Sequence, residues 1–255
     1  MKHRLDQLLV TRRLVDTRSQ AESWIKLGKV TVDGRVVTKP GTFVHDGAKV
    51  ELKASEKYVS RAGLKLASVA RTLELDFRDK IVLDVGSSTG GFTDYALQHG
   101  AKLVYAVDVG TDQLHQSLRG NPKIELYEKT DIREVEIRNR KNEIRKKSNT
   151  SVSIGYPDIV VIDVSFISIK EILSHISYFI FPDSQVIAMV KPQFEASRRE
   201  LGNNGVVKND SIRRDILKSF ELWVKQTWLI VAKSDSEVAG STGNRERFYS
   251  LRKAA

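Results

Sequence analysis

The chain contains no cysteine among its 255 residues. Disulfide bonds, thiolate nucleophiles and cysteine-based zinc sites are therefore excluded, while the redox state of the compartment stays open. Apolar runs are also short, and none approaches the roughly 18 consecutive residues that a membrane-spanning helix needs. The N-terminal residues mix charges with a short apolar run, unlike a signal peptide. We therefore expect a cytoplasmic protein that does not enter a membrane.

Negative charge is in short supply, with 32 Asp and Glu against 42 Lys and Arg and a formal net charge of +10. Such an excess favours a polyanionic partner, usually a nucleic acid. Half of it falls in the first 60 residues, which hold twelve basic and seven acidic side chains. A chain of this length can contain one large α/β domain and a small additional unit.

The most informative stretch is residues 81–108. An apolar run containing Asp84 leads into a turn of small residues at 86–91, then a helical pattern, then a second apolar run that ends at Asp108. This is the order of a nucleotide-binding βαβ unit, in which glycines let the backbone approach the ligand and the closing acid takes ribose hydroxyls. The alternative is a tight turn in an ordinary α/β protein.

The spacing of this turn favours S-adenosylmethionine over a dinucleotide. The glycines read Asp84-x-Gly86-x-x-x-Gly90-Gly91 rather than GxGxxG, and the charge of Asp84 would oppose a pyrophosphate at the helix N-terminus. S-adenosylmethionine carries a sulfonium, an amino group and a ribose but no phosphate. We therefore predict a site for this methyl donor.

Residues 1–57 are predicted to form a separate small domain. Two helical patterns precede an alternating stretch around Asp33-Gly34, which is a strong hairpin signal, and a second Asp-Gly at 46–47 precedes the apolar pattern of 49–52. Ser19, with Glu22 three residues later, is the expected cap of the second helix. Basic residues cluster on or beside the helices, and we expect them to bind RNA phosphates, although a solvated surface is the alternative for each: Arg4, Arg12, Arg13, Arg18, Lys26 and Lys29.

From residue 80 onward, short apolar strands alternate with helical patterns, which predicts a doubly wound, Rossmann-like α/β sheet. Strands are expected near 81–85, 103–107, 124–127, 158–166, 186–190, 228–232 and 248–251. Helices are expected over 61–73 with Ser60 as cap, 113–118, 169–180, and 210–225 with Asp210 as cap.

Four polar residues follow the strands of this predicted sheet: Asp108, Asp131, Asp163 and Lys191. Ligands of doubly wound sheets lie beyond the carboxyl ends of the strands, so we expect these residues to converge on one crevice. Asp108 would hold the ribose, and Asp131 is suited to the exocyclic amine of adenine. Individually, each could be a turn or cap residue.

A more specific likeness lies in five stretches: YVSRAGLKL (58–66), DVGSSTGGFTD (84–94), IDVSFIS (162–168), VKPQFE (190–195) and GNRE (243–246). Together they resemble the TlyA family of ribosomal RNA methyltransferases, which join an S4 RNA-binding domain to an FtsJ-like methyltransferase domain. The likeness covers nearly the whole chain. The S4-like pattern is present with Arg18-Ser19 in place of Ser-Arg.

This resemblance implies 2′-O-methylation of a cytidine in ribosomal RNA, with ribosomal RNA or ribosomal subunits as partners. We expect no metal to be required. The oligomeric state is not determined by the sequence. It divides the chain into an S4-like RNA-binding domain (1–57), a linker and leading helix (58–79), and an FtsJ-like methyltransferase domain (80–255). The cofactor-binding residues that it implies are Asp84, Gly86, Ser87, Thr89, Gly90, Gly91, Phe92, Asp108, Val109, Asp131 and Asp163.

The resemblance also implies a catalytic tetrad of Lys65, Asp163, Lys191 and Glu246, for which Glu237 is a rival in the last position. We expect Lys191 to take the proton of the hydroxyl. Lys65 would steer that hydroxyl and, as a second cation, favour the neutral form of Lys191, while the two acids hold the amines.

Two stretches depart from the family pattern. Residues 138–150 hold six basic side chains and one acid, and this insertion either contacts RNA or is a solvated loop. The loop at 202–205 reads GNNG where the family is typically GKGG-like.

Three rival functions stay open. One is a non-catalytic RNA-binding or ribosome-assembly factor. A membrane-active hemolysin is opposed by the absence of a spanning segment. An NAD-dependent dehydrogenase is opposed by the glycine spacing.

Overall fold

The computed structural model describes residues 2–15, 17–26, 28–53, 58–137, 152–178, 180–202, 205–238, 240 and 243–254. None of the helices that these residues form is both long and apolar enough to cross a membrane.

The N-terminal unit contains two helices and two small sheets. Its elements are β1 (Lys2–Arg4), α1 (Leu5–Thr11), α2 (Arg18–Lys26), β2 (Val30–Val32), β3 (Arg35–Val36), β4 (Phe43–His45) and β5 (Val50–Leu52). Strand β1 pairs with β4, and β2 lies between β3 and β5, all antiparallel. The predicted hairpin around Asp33 is thus confirmed. Leu5, Leu9 and Ile25 are fully buried between the helices and the sheets.

The capping of α2 differs from the prediction. The backbone N–H of Gln20 donates to Thr17 Oγ1 (3.2 Å), and the backbone N–H of Thr17 donates to Gln20 Oε1 (3.1 Å). This reciprocal pair is a capping box two residues earlier than the predicted pair of Ser19 and Glu22. Glu22 instead lies along the helix between Arg18 and Lys26, at 3.8 and 4.0 Å.

Hydrogen bonds join the N-terminal unit to the rest of the chain. Gln20 Nε2 donates to the backbone oxygens of Tyr58 and Val59, each at 3.2 Å. The backbone N–H of Val59 in turn donates to Asp94 Oδ2 (2.7 Å) on helix α4 (Gly91–Gln98). The segment at 58–59 is therefore held from both sides.

Helix α3 (Arg61–Val69) follows this segment and packs on α4. Its apolar stripe, Leu64, Leu66 and Val69, is buried. The helix is shorter than the predicted 61–73, and among the residues that the structure describes the side chain of Ser60 makes no capping hydrogen bond.

A seven-stranded sheet forms the large unit, and the predicted Rossmann-like fold class is confirmed. The elements after α3 are β6 (Ile81–Val85), α4, β7 (Leu103–Val107), β8 (Ile124–Tyr127), β9 (Val135–Ile137), β10 (Val152–Ile154), β11 (Ile159–Ile162), α5 (Ile169–Ile176), β12 (Gln185–Val190), α6 (Pro192–Glu195), α7 (Asp210–Val224), β13 (Trp228–Asp235) and β14 (Arg247–Lys253). The strand order in the sheet is β13-β14-β12-β11-β6-β7-β8. The sheet is mixed because β14 runs antiparallel to both of its neighbours.

Smaller differences concern loops and helix ends. The predicted helix at 113–118 is only a single 3₁₀ turn, Gln116–Leu118. The cap of α7 is Asn209 rather than Asp210, since Asn209 Oδ1 accepts from the backbone N–H of Ile212 (3.0 Å). Strands β9 and β10 form a separate parallel pair. The basic stretch 138–150 lies between them, outside the described residues.

The two faces of the sheet pack against different helices. One face, which includes Val82, Val161, Met189 and Phe248, joins a core cluster with α3 and α4 that continues into the N-terminal unit. The other face, with Leu83, Val160 and Tyr249 among its residues, packs against α5 and α7. Side chains of a strand alternate between the two faces of the sheet. A residue two positions along a strand from Val82, Val161, Met189 or Phe248 therefore also projects toward α3 and α4.

Candidate active site

A crevice opens where the chain reverses its direction of winding across the sheet. Strand β6 lies between β7 and β11, so the connections that leave the carboxyl ends of β6 and β11 diverge there. Two cavities adjoin this point, of about 380 and 140 Å³. Both are lined by Gly86, Ser88, Asp163 and Ser165, so these residues mark where the cavities meet.

Close packing of the glycine turn forms one wall of the crevice. Gly86 has φ +79°, and a Cβ there would lie 2.6 Å from the backbone oxygen of Asp163. A Cβ on Gly91 would lie 2.7 Å from Ala62 on α3. Only glycine fits at these positions, so the turn lies directly against α3 and the end of β11.

Acidic residues line the larger cavity. Asp108 accepts from the backbone N–H groups of Ser88 (2.8 Å) and Gly110 (2.7 Å), which fixes the carboxylate at the end of β7. Val109 forms part of the rim and is 71% exposed. Asp131 also lines this cavity, but Arg133 donates to both of its oxygens, to Oδ1 at 3.0 Å and to Oδ2 at 2.6 Å. The pKa of Asp131 is lowered chiefly by these hydrogen bonds.

The smaller cavity is lined by Asp84, Ser87, Thr89 and Phe92 among others. Asp84 Oδ2 accepts from the Thr93 hydroxyl (2.6 Å). Asp84 Oδ1 and Ser87 Oγ are buried, and no polar partner for them occurs in the part of the chain that the structure describes. Buried polar atoms in proteins are nearly always hydrogen-bonded. These two atoms are therefore available to a polar ligand.

Burial raises the pKa of Asp84 to about 7, against the opposing effect of the Thr93 hydrogen bond and with a contribution from nearby Asp163. Asp84 therefore carries only part of a negative charge at neutral pH. The charge that opposes a pyrophosphate at this turn is therefore smaller than that of a fully ionised aspartate.

Two ion pairs contain the four predicted tetrad residues. Lys65 Nζ lies 2.9 Å from Glu246 Oε1, and both side chains are almost fully buried. Lys191 Nζ lies 2.6 Å from Asp163 Oδ1; these side chains are 11% and 17% exposed, and both line the smaller cavity. The rival Glu237 is exposed, so Glu246 is the acid that contacts Lys65.

Strand register brings these two pairs together. Val190 of β12 is opposite Arg247 of β14, so one further residue sets Lys191 opposite Glu246. Directly opposed residues of an antiparallel pair project from the same face. Lys191 is also two residues beyond Met189, whose face packs against α3 and α4. Both lysines therefore lie on the same side of the sheet, at the same end.

Three residues at this site were not predicted. Lys191 Nζ donates to Ser165 Oγ (2.7 Å), two residues after Asp163. Phe166 lines the larger cavity, is 93% exposed and has φ +66°, a strained value for a phenylalanine. Gln113 lines the same cavity and accepts from the Ser88 hydroxyl (2.9 Å). Proximity to a strand end could have indicated Ser165 and Phe166, but nothing in the sequence distinguishes Gln113.

The basic residues predicted to bind RNA fall into three groups. Arg4 and Arg18 both donate to Asp6, whose side chain is fully buried, at 2.8–3.0 Å. Arg12 donates to the backbone oxygens of Ala48 (2.8 Å) and Asp46 (2.5 Å) and so braces a turn. The remaining side chains are exposed: Arg13, Lys26 and Lys29.

No group of three or more metal-ligating side chains comes together within the described residues.

Comparison with known proteins identifies both units. The S4 domain family matches residues 3–50, and the FtsJ-like methyltransferase family matches residues 58–253. A solved structure from Streptococcus thermophilus superposes with a TM-score of 0.69 at 38% identity, covering 99% of this chain and 89% of that one.

Two curated relatives carry the name TlyA. The 16S/23S rRNA (cytidine-2'-O)-methyltransferase TlyA of Mycobacterium tuberculosis is 35% identical over 253 residues, 98% of this chain and 89% of that protein. The 23S rRNA (cytidine-2'-O)-methyltransferase TlyA of Campylobacter jejuni is 37% identical over 206 residues, 80% and 74% of the respective chains.

Hemolysin A of Brachyspira hyodysenteriae is 34% identical over 248 residues, 95% of this chain and 97% of that protein. The family matches and the relatives confirm the resemblance seen in the sequence and the methyl donor predicted from it. The chain therefore belongs to the S-adenosylmethionine-dependent, FtsJ-like methyltransferases, in a group that joins an S4 domain to the catalytic domain and includes the proteins named TlyA.

Proposed function

We propose that the protein methylates the 2′-hydroxyl of a cytidine in ribosomal RNA. The observation that carries this proposal is the Lys191 amine, held by Asp163 and Ser165 where the two cavities meet. Two relatives with 35–37% identity are named for the same reaction. Ribosomal RNA as substrate also implies a cytoplasmic protein, as predicted from the sequence.

The crevice suits S-adenosylmethionine in three respects. A cavity of about 380 Å³ is within the usual size range of small-molecule sites. Asp108 presents a fixed carboxylate for ribose hydroxyls, and Val109 an apolar surface at the rim. Asp84 Oδ1 and Ser87 Oγ in the adjoining cavity can accept from the amino group. Asp131 has the weakest claim as a direct ligand, since Arg133 occupies its carboxylate.

The donor supplies an electrophilic methyl group, whose transfer to the hydroxyl oxygen breaks a carbon–sulfur bond, forms a carbon–oxygen bond and leaves a neutral thioether. The protein has to position the hydroxyl and accept its proton. Positioning can lower the barrier by about 7–11 kcal/mol in favourable cases. A general base adds about 10²–10⁴-fold.

Lys191 takes the proton in its uncharged form. Asp163 then stabilises the ammonium that results, because its carboxylate is already in contact with Nζ. Lys65, held by Glu246 on the same side of the sheet, directs the hydroxyl toward the cavity.

RNA recognition is divided between the two units. The N-terminal unit offers exposed cations on and beside its helices, of which Arg13 and Lys26 are examples. At the rim of the larger cavity, the exposed ring of Phe166 offers a surface on which a base can stack. This arrangement suits an unpaired target nucleotide more than one inside a duplex.

The experiment is to incubate the protein with methyl-labelled S-adenosylmethionine and either small subunits, large subunits, intact ribosomes or free ribosomal RNA. We expect label in RNA, mapped by mass spectrometry to the ribose of a cytidine, and none with Lys191→Ala. RNA binding without label would favour the non-catalytic assembly factor. Leakage of lipid vesicles by the purified protein would favour the hemolytic activity in the name of one relative.

A further inference from the structure

The hydroxyl of Ser165 lies 2.7 Å from Lys191 Nζ, as close as the carboxylate of Asp163 at 2.6 Å. Ser165 lines both cavities at the place where they meet. Ser165 and Asp163 leave the same strand end two residues apart, and β11 pairs with the strand that carries Lys191. The amine is therefore held by two groups from one neighbouring loop.

The hydrogen bond to Ser165 determines the rotation of the Lys191 amine. A protonated lysine has three N–H groups in a tetrahedral arrangement. With one of them donated to Ser165 Oγ, rotation about the Cε–Nζ bond is fixed, and the other two positions point in set directions. In the neutral amine, one of these two positions holds the lone pair. Asp163 Oδ1 lies in ion-pair contact with Nζ but accepts no hydrogen bond within the described residues, so without Ser165 the amine could rotate while keeping that contact.

The loop that carries Ser165 is itself held in place. Glu195, at the end of α6, accepts from the Ser168 hydroxyl (2.7 Å) and from the backbone N–H of Ile169 (2.8 Å). Its side chain is only 3% exposed. Between the two ends, the rings of Phe166 and Phe194 pack with centroids 5.3 Å apart. The segments after β11 and β12 are thus joined at both ends, which prevents Ser165 from drifting away from Lys191.

We propose that Ser165 is a positioning residue for methyl transfer, which orients the Lys191 lone pair toward the target hydroxyl, while Asp163 balances the charge of the amine. This inference rests on the proposed function, because it requires Lys191 to accept a proton. Ser165 acts on Lys191 and does not need to contact the methyl donor.

The test compares Ser165→Ala with Ser165→Thr, which keeps a hydroxyl, and with Ser219→Ala, which removes an exposed hydroxyl from α7 on the other face of the sheet. For each variant we would measure kcat and KM with ribosomal RNA, the Kd of S-adenosylmethionine by calorimetry, and the solvent deuterium isotope effect on kcat. Ser165→Ala should lower kcat about 10- to 100-fold, the scale expected from a misplaced catalytic group. Its KM and Kd should stay within about twofold of wild type, and its isotope effect should rise, because proton transfer becomes slower.

Ser165→Thr should recover most of kcat, and Ser219→Ala should retain the wild-type kcat and isotope effect. A Ser165→Ala enzyme with wild-type kcat would overturn the inference. A weaker Kd for S-adenosylmethionine with unchanged kcat would do so as well, because Ser165 would then be a donor-binding residue. Failure of the wild-type protein to methylate any ribosomal RNA is a different result, and it would instead remove the proposed function.

Discussion

The Nζ atom of Lys65 lies 2.9 Å from Oε1 of Glu246, although the two residues are 181 positions apart in the chain. This contact ties α3, which precedes the sheet, to the start of β14. The side chains are 11% and 3% exposed, so each charge depends on the other for compensation. Removing one partner of a buried pair costs about 3–5 kcal/mol, because the remaining charge stays buried.

Glu246→Gln should therefore destabilise the protein by about 3–5 kcal/mol in urea unfolding and lower methyl transfer. The double variant Lys65→Met with Glu246→Gln should be more stable than Glu246→Gln alone, since it leaves no buried charge without a partner. Glu237→Gln is the matched control, because Glu237 is the other acid that the sequence offers for the last position of the tetrad. This residue is exposed, so its substitution should change stability by less than about 0.5 kcal/mol. A larger effect at Glu237 than at Glu246 would reverse the assignment.

Lys191→Ala should reduce kcat about 10²–10⁴-fold, because the hydroxyl proton loses its acceptor. Binding of S-adenosylmethionine, measured by calorimetry, should change little. Lys233→Ala removes a lysine that pairs with Glu221 at 2.8 Å on the edge strand, and it should leave kcat unchanged. Near-normal turnover by Lys191→Ala would show that another group accepts the proton.

Asp84→Asn should change the pH dependence of stability. Burial raises the pKa of Asp84 to about 7 from the ordinary 3.8, so between about pH 4 and 7 the folded protein keeps a proton that the unfolded chain has lost. The contribution of Asp84 to stability therefore falls as pH rises through this window and is constant above it. An asparagine does not titrate.

The free energy of unfolding of Asp84→Asn minus that of wild type should thus increase between about pH 4 and 7, by at most about 1.4 kcal/mol per pH unit. Urea unfolding of both proteins across this range measures the difference, in which all other titrating groups cancel to first order. A flat difference would mean that Asp84 is fully ionised in the folded state.

Arg12 and Arg13 are neighbours with different expected roles. Arg12→Ala loses two charge-assisted hydrogen bonds to the backbone oxygens of Asp46 and Ala48, which should cost about 2 kcal/mol of stability. Arg13 is exposed, so Arg13→Ala should leave stability within about 0.5 kcal/mol of wild type.

Ribosomal RNA binding at several salt concentrations completes the comparison. Arg13→Ala should weaken binding and reduce the slope of log K against log salt by about 1, as the loss of one phosphate contact would. Equal slopes for wild type and Arg13→Ala would remove Arg13 from the RNA surface.

Much of the site could be predicted because it depends on local patterns. Apolar runs without alternation predict buried parallel strands, and their carboxyl ends necessarily meet at one edge, which indicated Asp108, Asp163 and Lys191. The position of Lys65 beside Glu246 could not be derived from such patterns. It depends on β14 pairing antiparallel with β12, and no short-range feature of the sequence specifies that pairing.

The errors in helix capping have a similar cause. Both Thr17 with Gln20 and Ser19 with Glu22 fit the capping-box spacing, and Asn209 and Asp210 are adjacent residues that both favour caps. Which candidate caps each helix depends on the path of the backbone at the start of that helix. Arg12 likewise reads as a surface cation, since its partners are backbone oxygens more than 30 residues away.

The position of β14 has a consequence for how the enzyme acquires activity during synthesis. Strand β13 is made before β14 but can join the sheet only through it, since β14 lies between β12 and β13. A growing polypeptide that has not yet passed residue 246 already contains the glycine turn and the strands β6, β7, β8, β11 and β12. Such a chain lacks Glu246, which holds Lys65, but contains Asp163 and Ser165, which hold Lys191, so only one of the two proposed catalytic amines depends on the start of β14 for its partner.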